Sequence, residues 1–277
     1  MFADATPISE EIGAEITGVA GHTLTDPKAA ARCQELVDEY GVVVFREAKI
    51  TDGDLVELSR MLGEVVVPPM GGQEDHPEVS AISLDPAKTV LASYNTGTFY
   101  WHIDGATDEV PQKGTLLTAL QVSDEGGDTE FANTYASYEA LSDRDKAEFE
   151  TLRVVHSFAA AQRLANPEPT EKQEAAWARV PEREHPLVWT RRSGRKSLLI
   201  GATASHVVGW PEEQSKALIS RLLAWSTQPR FSLRHHWQPG DLVLWDNTGM
   251  LHRAVPYSAT SPRLLHRTTL VGEEAVA

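Results

Sequence analysis

Apolar positions follow two different patterns along this chain. Near the start they recur at helical spacing: Ala30, Cys33, Leu36, Val37 and Tyr40 follow Asp26-Pro27, and Gly41 stands where such a helix would stop. Val42 to Phe45 is a β-branched run of the kind that makes a buried strand. Thr51, with Asp54 three residues on, marks a second helix start; Leu55, Leu58 and Leu62 share one face and Gly63 ends it.

From Thr115 onward, short apolar runs alternate with turn residues. They cover Thr115 to Val122, Thr129 to Ala132, Val154 to Phe158, Leu187 to Trp189 and Ser197 to Ile200, with Gly126-Gly127-Asp128 as a turn between the first two. Short strands at this density predict a sandwich or jelly roll. The stretch at about 160–184 is polar and rich in Pro and Glu; strands resume after it, so it reads as an insertion. Pro211 is placed to open a third helix, with Leu218, Ile219, Leu222, Leu223 and Trp225 as its buried stripe. Phe231 to Trp237, Asp241 to Trp245 and Arg263 to Val271 are strand-like. There is no βαβ alternation and no glycine-rich phosphate loop, which argues against a Rossmann domain. The expected architecture is one mainly β domain over 1–277 with flanking helices: α/β elements in about 1–65, a lid at about 71–100, and the insertion at about 160–184.

Composition narrows the function. The 277 residues are 41% hydrophobic and 23% charged, enough for a sizeable core. Lys and Arg number 25 against 40 Asp and Glu, a net charge of −15. That sign argues against nucleic acid and against anionic membrane surfaces, both of which select basic faces. No run approaches the ~20 apolar residues of a membrane span, and the opening MFADATPISEEIG lacks the features of a secretion signal. A cytoplasmic location is the expectation. The single Cys33 excludes an intrachain disulfide and any multi-thiolate metal site, so a bound metal would take nitrogen and oxygen ligands.

Ten histidines are candidates for such ligands. His22, His76, His185 and His206 sit near turns and are expected to be exposed. His235 and His236 are adjacent, so on a strand they face opposite ways. His102-Ile103-Asp104 differs: on a strand the two polar side chains point the same way, about 6.6 Å apart. An isolated His-x-Asp is weak, since it occurs often as a solvated turn pair. His252, in Trp245-Asp246-Asn247-Thr248-Gly249-Met250-Leu251-His252-Arg253, supplies a possible third ligand. Two histidines and one carboxylate on a β scaffold match the facial triad of non-haem Fe(II) oxygenases. Three protein ligands leave three positions open, two for a chelating 2-oxo acid and one for O₂. Arg263 follows eleven residues later, and alternation puts Arg263, Leu265, Arg267 and Thr269 on one strand face. Two arginines on an otherwise apolar face call for anions, such as the distal carboxylate of 2-oxoglutarate and an acidic substrate. The alternative is an edge strand whose arginines pair with surface carboxylates.

Taken in order, several stretches resemble the taurine dioxygenase / 2,4-dichlorophenoxyacetate dioxygenase (TauD/TfdA) family of Fe(II)/2-oxoglutarate-dependent enzymes. They are Gly13-Ala14-Glu15-Ile16-Thr17-Gly18-Val19, Tyr40-Gly41-Val42-Val43-Val44-Phe45-Arg46, Trp101-His102-Ile103-Asp104, Gly126-Gly127-Asp128-Thr129-Glu130-Phe131, Trp245-Asp246-Asn247, His252, and Pro262-Arg263-Leu264-Leu265-His266-Arg267. The resemblance covers most of the chain. It implies a double-stranded β-helix, a jelly roll of the cupin-like kind, and a homodimer or homotetramer. It implies that His102, Asp104 and His252 bind Fe(II), that Thr129 and Arg263 hold the distal carboxylate of 2-oxoglutarate, and that Arg267 meets the substrate's acidic group. Trp245 and Asp246 are then structural. Taurine-cleaving members carry a histidine and an asparagine where this chain has Pro68 and Thr98, with Asn95 nearby but displaced. That departure speaks against taurine itself. Val155-His156-Ser157, Thr227-Gln228-Pro229 and His252-Arg253 look closer to the phenoxyacetate-cleaving branch.

The expected function is therefore 2-oxoglutarate-dependent hydroxylation of a small anionic organic substrate with O₂. Cleavage of a C–S or C–O bond would follow where the hydroxylated carbon bears a heteroatom. Halogenating relatives replace the carboxylate ligand with a small residue, so Asp104 favours hydroxylation. The rival readings are a zinc hydrolase using the same three ligands and an inactive binding protein on the same barrel.

Overall fold

The computed structural model describes residues 5–277; Met1 to Asp4, the start of the acidic N-terminal stretch, lie outside the described residues. The N-terminal part runs β1 (Thr6–Pro7), β2 (Ala14–Ile16), α1 (Pro27–Tyr40), β3 (Val42–Phe45) and α2 (Asp52–Leu62). The boundaries have local causes. The Asp26 carboxylate accepts from the backbone N–H groups of Lys28 and Ala29, which caps α1, and Gly41 ends it. The Thr51 hydroxyl accepts from the Asp54 N–H and caps α2.

The chain continues through β4 (Ser80–Ile82), α3 (Ala92–Asn95), β5 (Gly114–Gln121), β6 (Thr129–Asn133), α4 (Thr134–Glu139), α5 (Asp143–Phe149) and β7 (Arg153–His156). Then come α6 (Phe158–Ala165), α7 (Glu171–Trp177), β8 (Arg183–Pro186), β9 (Val188–Thr190), β10 (Lys196–Leu198) and β11 (Ala204–Val207). The last elements are α8 (Glu212–Ser226), β12 (Ser232–His235), β13 (Leu242–Asp246), β14 (Met250–Ala254) and β15 (Leu264–Leu270).

A seven-stranded sheet has the order β1-β2-β3-β13-β5-β15-β4, and a three-stranded sheet the order β12-β6-β14. Their inner faces share one core: Val42, Val44, Leu117, Ala119, Val243, Trp245 and Leu265 from the large sheet meet Phe131, Leu233 and Met250 from the small one. Strand alternation sends Val43, Phe45, Leu116, Leu242, Leu244 and Leu270 to the outer face of the large sheet, where they pack against Cys33, Leu36, Leu55 and Leu58 of α1 and α2. The result is a sheet-rich single domain with helices around it.

Several elements depart from the sequence pattern. The run Val154 to Phe158 is not one strand: β7 ends at His156, and the Ser157 hydroxyl caps α6 by accepting from the Ala160 N–H. The polar 160–184 stretch is ordered into α7, which has a reciprocal Thr170–Gln173 capping box and a buried Trp177. Pro211 is the N-cap of α8 rather than its first helical residue, because its ψ of 145° is extended. In that helix Leu218 and Leu222 are buried, while Ile219, Leu223 and Trp225 are half-buried at the edge of the stripe. Arg263 lies just before β15, and the pairing of β15 with β5 shifts register between Leu264 and Leu265.

His185 is a further correction. It is buried, not exposed: β8 pairs with β7, and its Nε2 bonds the Asp108 carbonyl at 2.9 Å. Its ring lies 5.7 Å from that of His156, which is also buried and whose Nδ1 is 2.9 Å from the Thr203 hydroxyl. Burial, with His185 beside it, pushes the His156 imidazole down to about 3. Between about pH 6.5 and that value the unfolded chain binds a proton here that the folded protein does not. Stability from this residue is therefore present at neutral pH and lost on acidification. At pH 5 the loss is about 2 kcal/mol. The urea midpoint should fall less between pH 7 and pH 5 in His156→Gln than in the wild type; equal falls would contradict this account.

Candidate active site

The two candidate histidine ligands are joined through the main chain. His102 N–H donates to the His252 carbonyl at 3.0 Å, and His252 N–H donates back to the His102 carbonyl at 2.9 Å. This is a hydrogen-bonded antiparallel pair made by a single residue on one side, because His102 is not in a strand. It sets the two imidazoles side by side, with ring centroids 4.2 Å apart. Asp104 is in the turn that follows, so its convergence with His102 comes from a turn and not from strand alternation. Asn247 holds that turn: its side-chain carbonyl accepts from the Asp104 N–H at 3.0 Å, and its amide donates to the Asp104 and Gln112 carbonyls at 2.7 and 3.0 Å. Gly201 packs from the other side at φ 124°, where a Cβ would lie 2.8 Å from the Trp101 carbonyl oxygen and 3.1 Å from the His102 Cα.

His102, Asp104 and His252 thus offer one ligand atom each, all within 4.8 Å of one another. The outward nitrogens are the available ones. His102 Nδ1 is 2.8 Å from the Tyr100 carbonyl, and His252 Nδ1 faces the Met250 carbonyl at 3.4 Å. A backbone carbonyl on Nδ1 selects the tautomer that leaves Nε2 free to ligate. His102 Nε2 is 3.7 Å and His252 Nε2 is 3.6 Å from the Asp104 carboxylate. The His252 ring rests on Trp245, with centroids 4.9 Å apart, and Phe131 stacks at 6.4 Å.

Electrostatics keep the donors ready. Burial, then the neighbouring His252, depresses the His102 imidazole to about 4, so it is neutral at physiological pH. Its contact with Asp104 is therefore not an ion pair. Burial alone would raise the Asp104 carboxyl, but Arg267, followed by the two imidazoles, holds it well below the usual carboxylate range. Arg267 Nη1 lies 3.5 Å from Asp104 Oδ2. Two imidazoles and one carboxylate, with only three donors in the cluster, fit an iron(II) ion that keeps open positions.

Thr129 opens β6 in the small sheet, and Arg263 immediately precedes β15 in the large one. Thr129 pairs with Ala254, two positions along β14 from His252. Arg263 is 2% exposed. Its Nε donates to the Gly127 carbonyl at 2.9 Å and its Nη1 to the Tyr257 hydroxyl at 3.3 Å, and the guanidinium sits over the Tyr257 ring. No carboxylate lies within ion-pairing distance of it among the described residues. Burial accordingly lowers its affinity for the proton. Gly127 makes room for it: at φ 77°, a Cβ there would come 2.9 Å from the Arg263 Cδ. The edge-strand alternative, in which these arginines pair with surface carboxylates, does not describe Arg263.

The residue patterns did not single out Asn247, Tyr257 or Trp237. Asn247 carried a signal, as part of Trp245-Asp246-Asn247. Tyr257 and Trp237 lie in segments with no motif, and only the fold shows what they touch. Asp246 accepts from the Tyr135 hydroxyl at 3.0 Å and from the Thr248 N–H at 2.9 Å.

Comparison with known proteins agrees with this geometry. Residues 4–269 match the family described as "Taurine catabolism dioxygenase TauD, TfdA family". The chain is 34% identical to an alpha-ketoglutarate-dependent 2,4-dichlorophenoxyacetate dioxygenase of Cupriavidus pinatubonensis, over 88% of each chain. It is 30% identical to an alkylsulfatase of Acinetobacter baylyi, over 96% of this chain and 84% of that one. Among solved structures, AAD-2 in complex with Mn(II) and N-oxalylglycine superposes with a TM-score of 0.82 at 27% identity, over 100% of both chains. A taurine dioxygenase from Burkholderia xenovorans superposes with a TM-score of 0.80 at 30% identity, covering 98% of this chain and 90% of that one. With nearly its whole length matched, the chain belongs to the TauD, TfdA family of dioxygenases.

Proposed function

We propose that the protein is an Fe(II)- and 2-oxoglutarate-dependent dioxygenase that hydroxylates a small anionic organic substrate. The observation that carries this reading is the pairing of a three-donor cluster with a buried arginine, Arg263, that has no carboxylate partner among the described residues. A buried, unpaired guanidinium is costly, and a bound carboxylate removes the cost. A hydrolytic zinc site needs an anion anchor only for its substrate, whereas a 2-oxoglutarate enzyme needs one for its co-substrate and, for an acidic substrate, a second, which Arg263 and Arg267 supply between them.

In this reading His102, Asp104 and His252 hold the iron, and Thr129 and Arg263 take the distal carboxylate of 2-oxoglutarate. Iron held there would supply O₂ activation coupled to oxidative decarboxylation of 2-oxoglutarate to succinate and CO₂. Arg267 keeps Asp104 ionised and presents the rest of its guanidinium to the substrate's acidic group. If the hydroxylated carbon bears an ether or sulfate-ester oxygen, the product collapses to a carbonyl compound and a phenol or sulfate. Relatives named for 2,4-dichlorophenoxyacetate and for sulfate esters make these the first substrate classes to test. Taurine is disfavoured. The Asn95 amide is spent on the Ser83 carbonyl at 2.8 Å, the Thr98 hydroxyl donates to the Asn95 carbonyl at 2.6 Å, and Pro68 has no donor to offer.

The facing sheets we read as a double-stranded β-helix, with 71–100 as a lid and 160–184 as an insertion beside it. In support, the Tyr100 hydroxyl donates to the Leu164 carbonyl at 2.6 Å, and Phe99 meets Tyr257 edge-on at 5.7 Å. Homodimer or homotetramer assembly is carried over from the family. No helix of the described residues is long and apolar enough to cross a membrane.

The deciding experiment is a succinate-release screen with Fe(II), 2-oxoglutarate and O₂ across phenoxyacetates, alkyl sulfates and alkyl sulfonates. Substrate-stimulated succinate release is expected for at least one class, and none with any anion would sink the reading. His102→Ala should abolish that release, since a two-donor site cannot hold the metal; retained turnover would remove His102 from the site. Arg263→Ala should raise the 2-oxoglutarate KM roughly 10- to 100-fold, as for loss of a charge-assisted pair. Arg267→Ala should instead raise the KM of the acidic substrate more than that of 2-oxoglutarate. Equal effects of the two arginine variants on both KM values would contradict the division of roles.

A further inference from the structure

The co-substrate pocket contains a polar contact that the roles above do not use. The Trp237 indole Nε1 donates a hydrogen bond to the Thr129 hydroxyl oxygen at 2.9 Å. Both residues are buried. Trp237 follows β12 and packs in the inter-sheet core with Phe131 and Leu265. It also lines a small cavity together with Gly127, Asp128, Arg263 and Leu265. Its orientation is set from outside: the ring meets the buried His235 edge-on at 4.4 Å, His235 Nε2 is 3.2 Å from the Asp241 carboxylate, and Arg46 pairs with Asp241 at 2.8 Å.

A threonine hydroxyl has one hydrogen to donate and two lone pairs to accept with. An indole N–H can only donate, so at this contact the Thr129 oxygen must be the acceptor. The hydroxyl hydrogen is then directed elsewhere, and it has no protein acceptor among the described residues. Without the indole, the hydroxyl could rotate its lone pairs toward the pocket and present an acceptor to an incoming carboxylate, which is repulsive. We infer that Trp237 is a positioning residue for the 2-oxoglutarate carboxylate: by occupying a lone pair of Thr129, it fixes that hydroxyl as a donor beside Arg263. This rests on the reading of Thr129 and Arg263 as the carboxylate anchor. The device resembles an oxyanion site in that the donor is oriented before the anion arrives. It differs in that the orienting group acts through another side chain, the Thr129 hydroxyl.

The test is a double-mutant cycle on 2-oxoglutarate binding, read by calorimetry on Mn(II)-loaded protein so that no turnover intervenes. Trp237→Phe removes the N–H and keeps a ring in the core. It should weaken 2-oxoglutarate binding about three- to tenfold, the size of one neutral hydrogen bond. In the Thr129→Val background the same change should have no further effect, because the hydroxyl it acts through is gone. Thr129→Ser should restore sensitivity to Trp237→Phe. In steady-state assays Trp237→Phe should raise the 2-oxoglutarate KM by a larger factor than it lowers kcat. Unchanged affinity in Trp237→Phe, or equal weakening with and without the Thr129→Val change, would overturn the inference and leave the anchor intact. Unchanged affinity in Arg263→Ala and Thr129→Val would overturn the anchor itself. If Trp237→Phe does not fold, a benzothienyl analogue of tryptophan at position 237 keeps the shape without the N–H and carries the same test.

Discussion

The reciprocal backbone hydrogen bonds between His102 and His252 are the constraint on which the rest of the site depends. Two residues far apart in the chain are held as one antiparallel pair, with their imidazole centroids 4.2 Å apart. Everything nearby then acts on a fixed reference. Asn247 pins the turn that brings Asp104 to the pair, backbone carbonyls take the inner ring nitrogens, and Trp245 supports the His252 ring. The donors are arranged by the fold before a metal arrives, so little side-chain ordering remains to oppose binding.

The acidic surface and the cationic interior are two solutions to separate problems. A net charge of −15 repels anions at long range, although screening confines that repulsion to about a Debye length, roughly 8–10 Å in physiological salt. Attraction must act at short range and in low dielectric, where one charge has most effect. The two arginines of this region are handled differently. Arg267 leans on Asp104 and is partly compensated, whereas Arg263 is sheltered by a carbonyl, a phenol and an aromatic face and pairs with no carboxylate among the described residues.

Much of this was legible in the residues. The helices ending at Gly41 and Gly63 carry their caps in the chain, and strands such as Val42 to Phe45 are short enough to read from composition. The triad was legible by residue type and by resemblance, yet strand alternation, the geometry that the His102–Asp104 spacing suggests, is not how they converge. A turn held by Asn247 does it, and no local pattern encodes a contact with a side chain more than a hundred residues away. The same limit explains His185, polar and near a turn, but buried because β8 pairs with β7. It also explains α7 in the polar stretch, where a capping box and one buried tryptophan, Trp177, outweigh an unpromising composition. Arg263 and Arg267 stood out in the chain as two arginines amid apolar residues, although Arg263 precedes β15 rather than lying on it. The isolation of Arg263 from carboxylates became visible only once Gly127 and Tyr257 were in place around it.

The His102–His252 pair also bears on the order in which the molecule assembles. A contact that closes a loop of about 150 residues costs chain entropy that grows with the logarithm of loop length, and it forms readily only after intervening structure has shortened the effective loop. Here that structure is the inter-sheet core and the small sheet on which β14 is the edge strand. The three-donor cluster is therefore expected to close late in folding. A partly folded or still-growing chain, which lacks His252 or holds it far from His102, presents at most two neighbouring donors of the cluster. Topology thus ties completion of the three-donor cluster to completion of the protein around it.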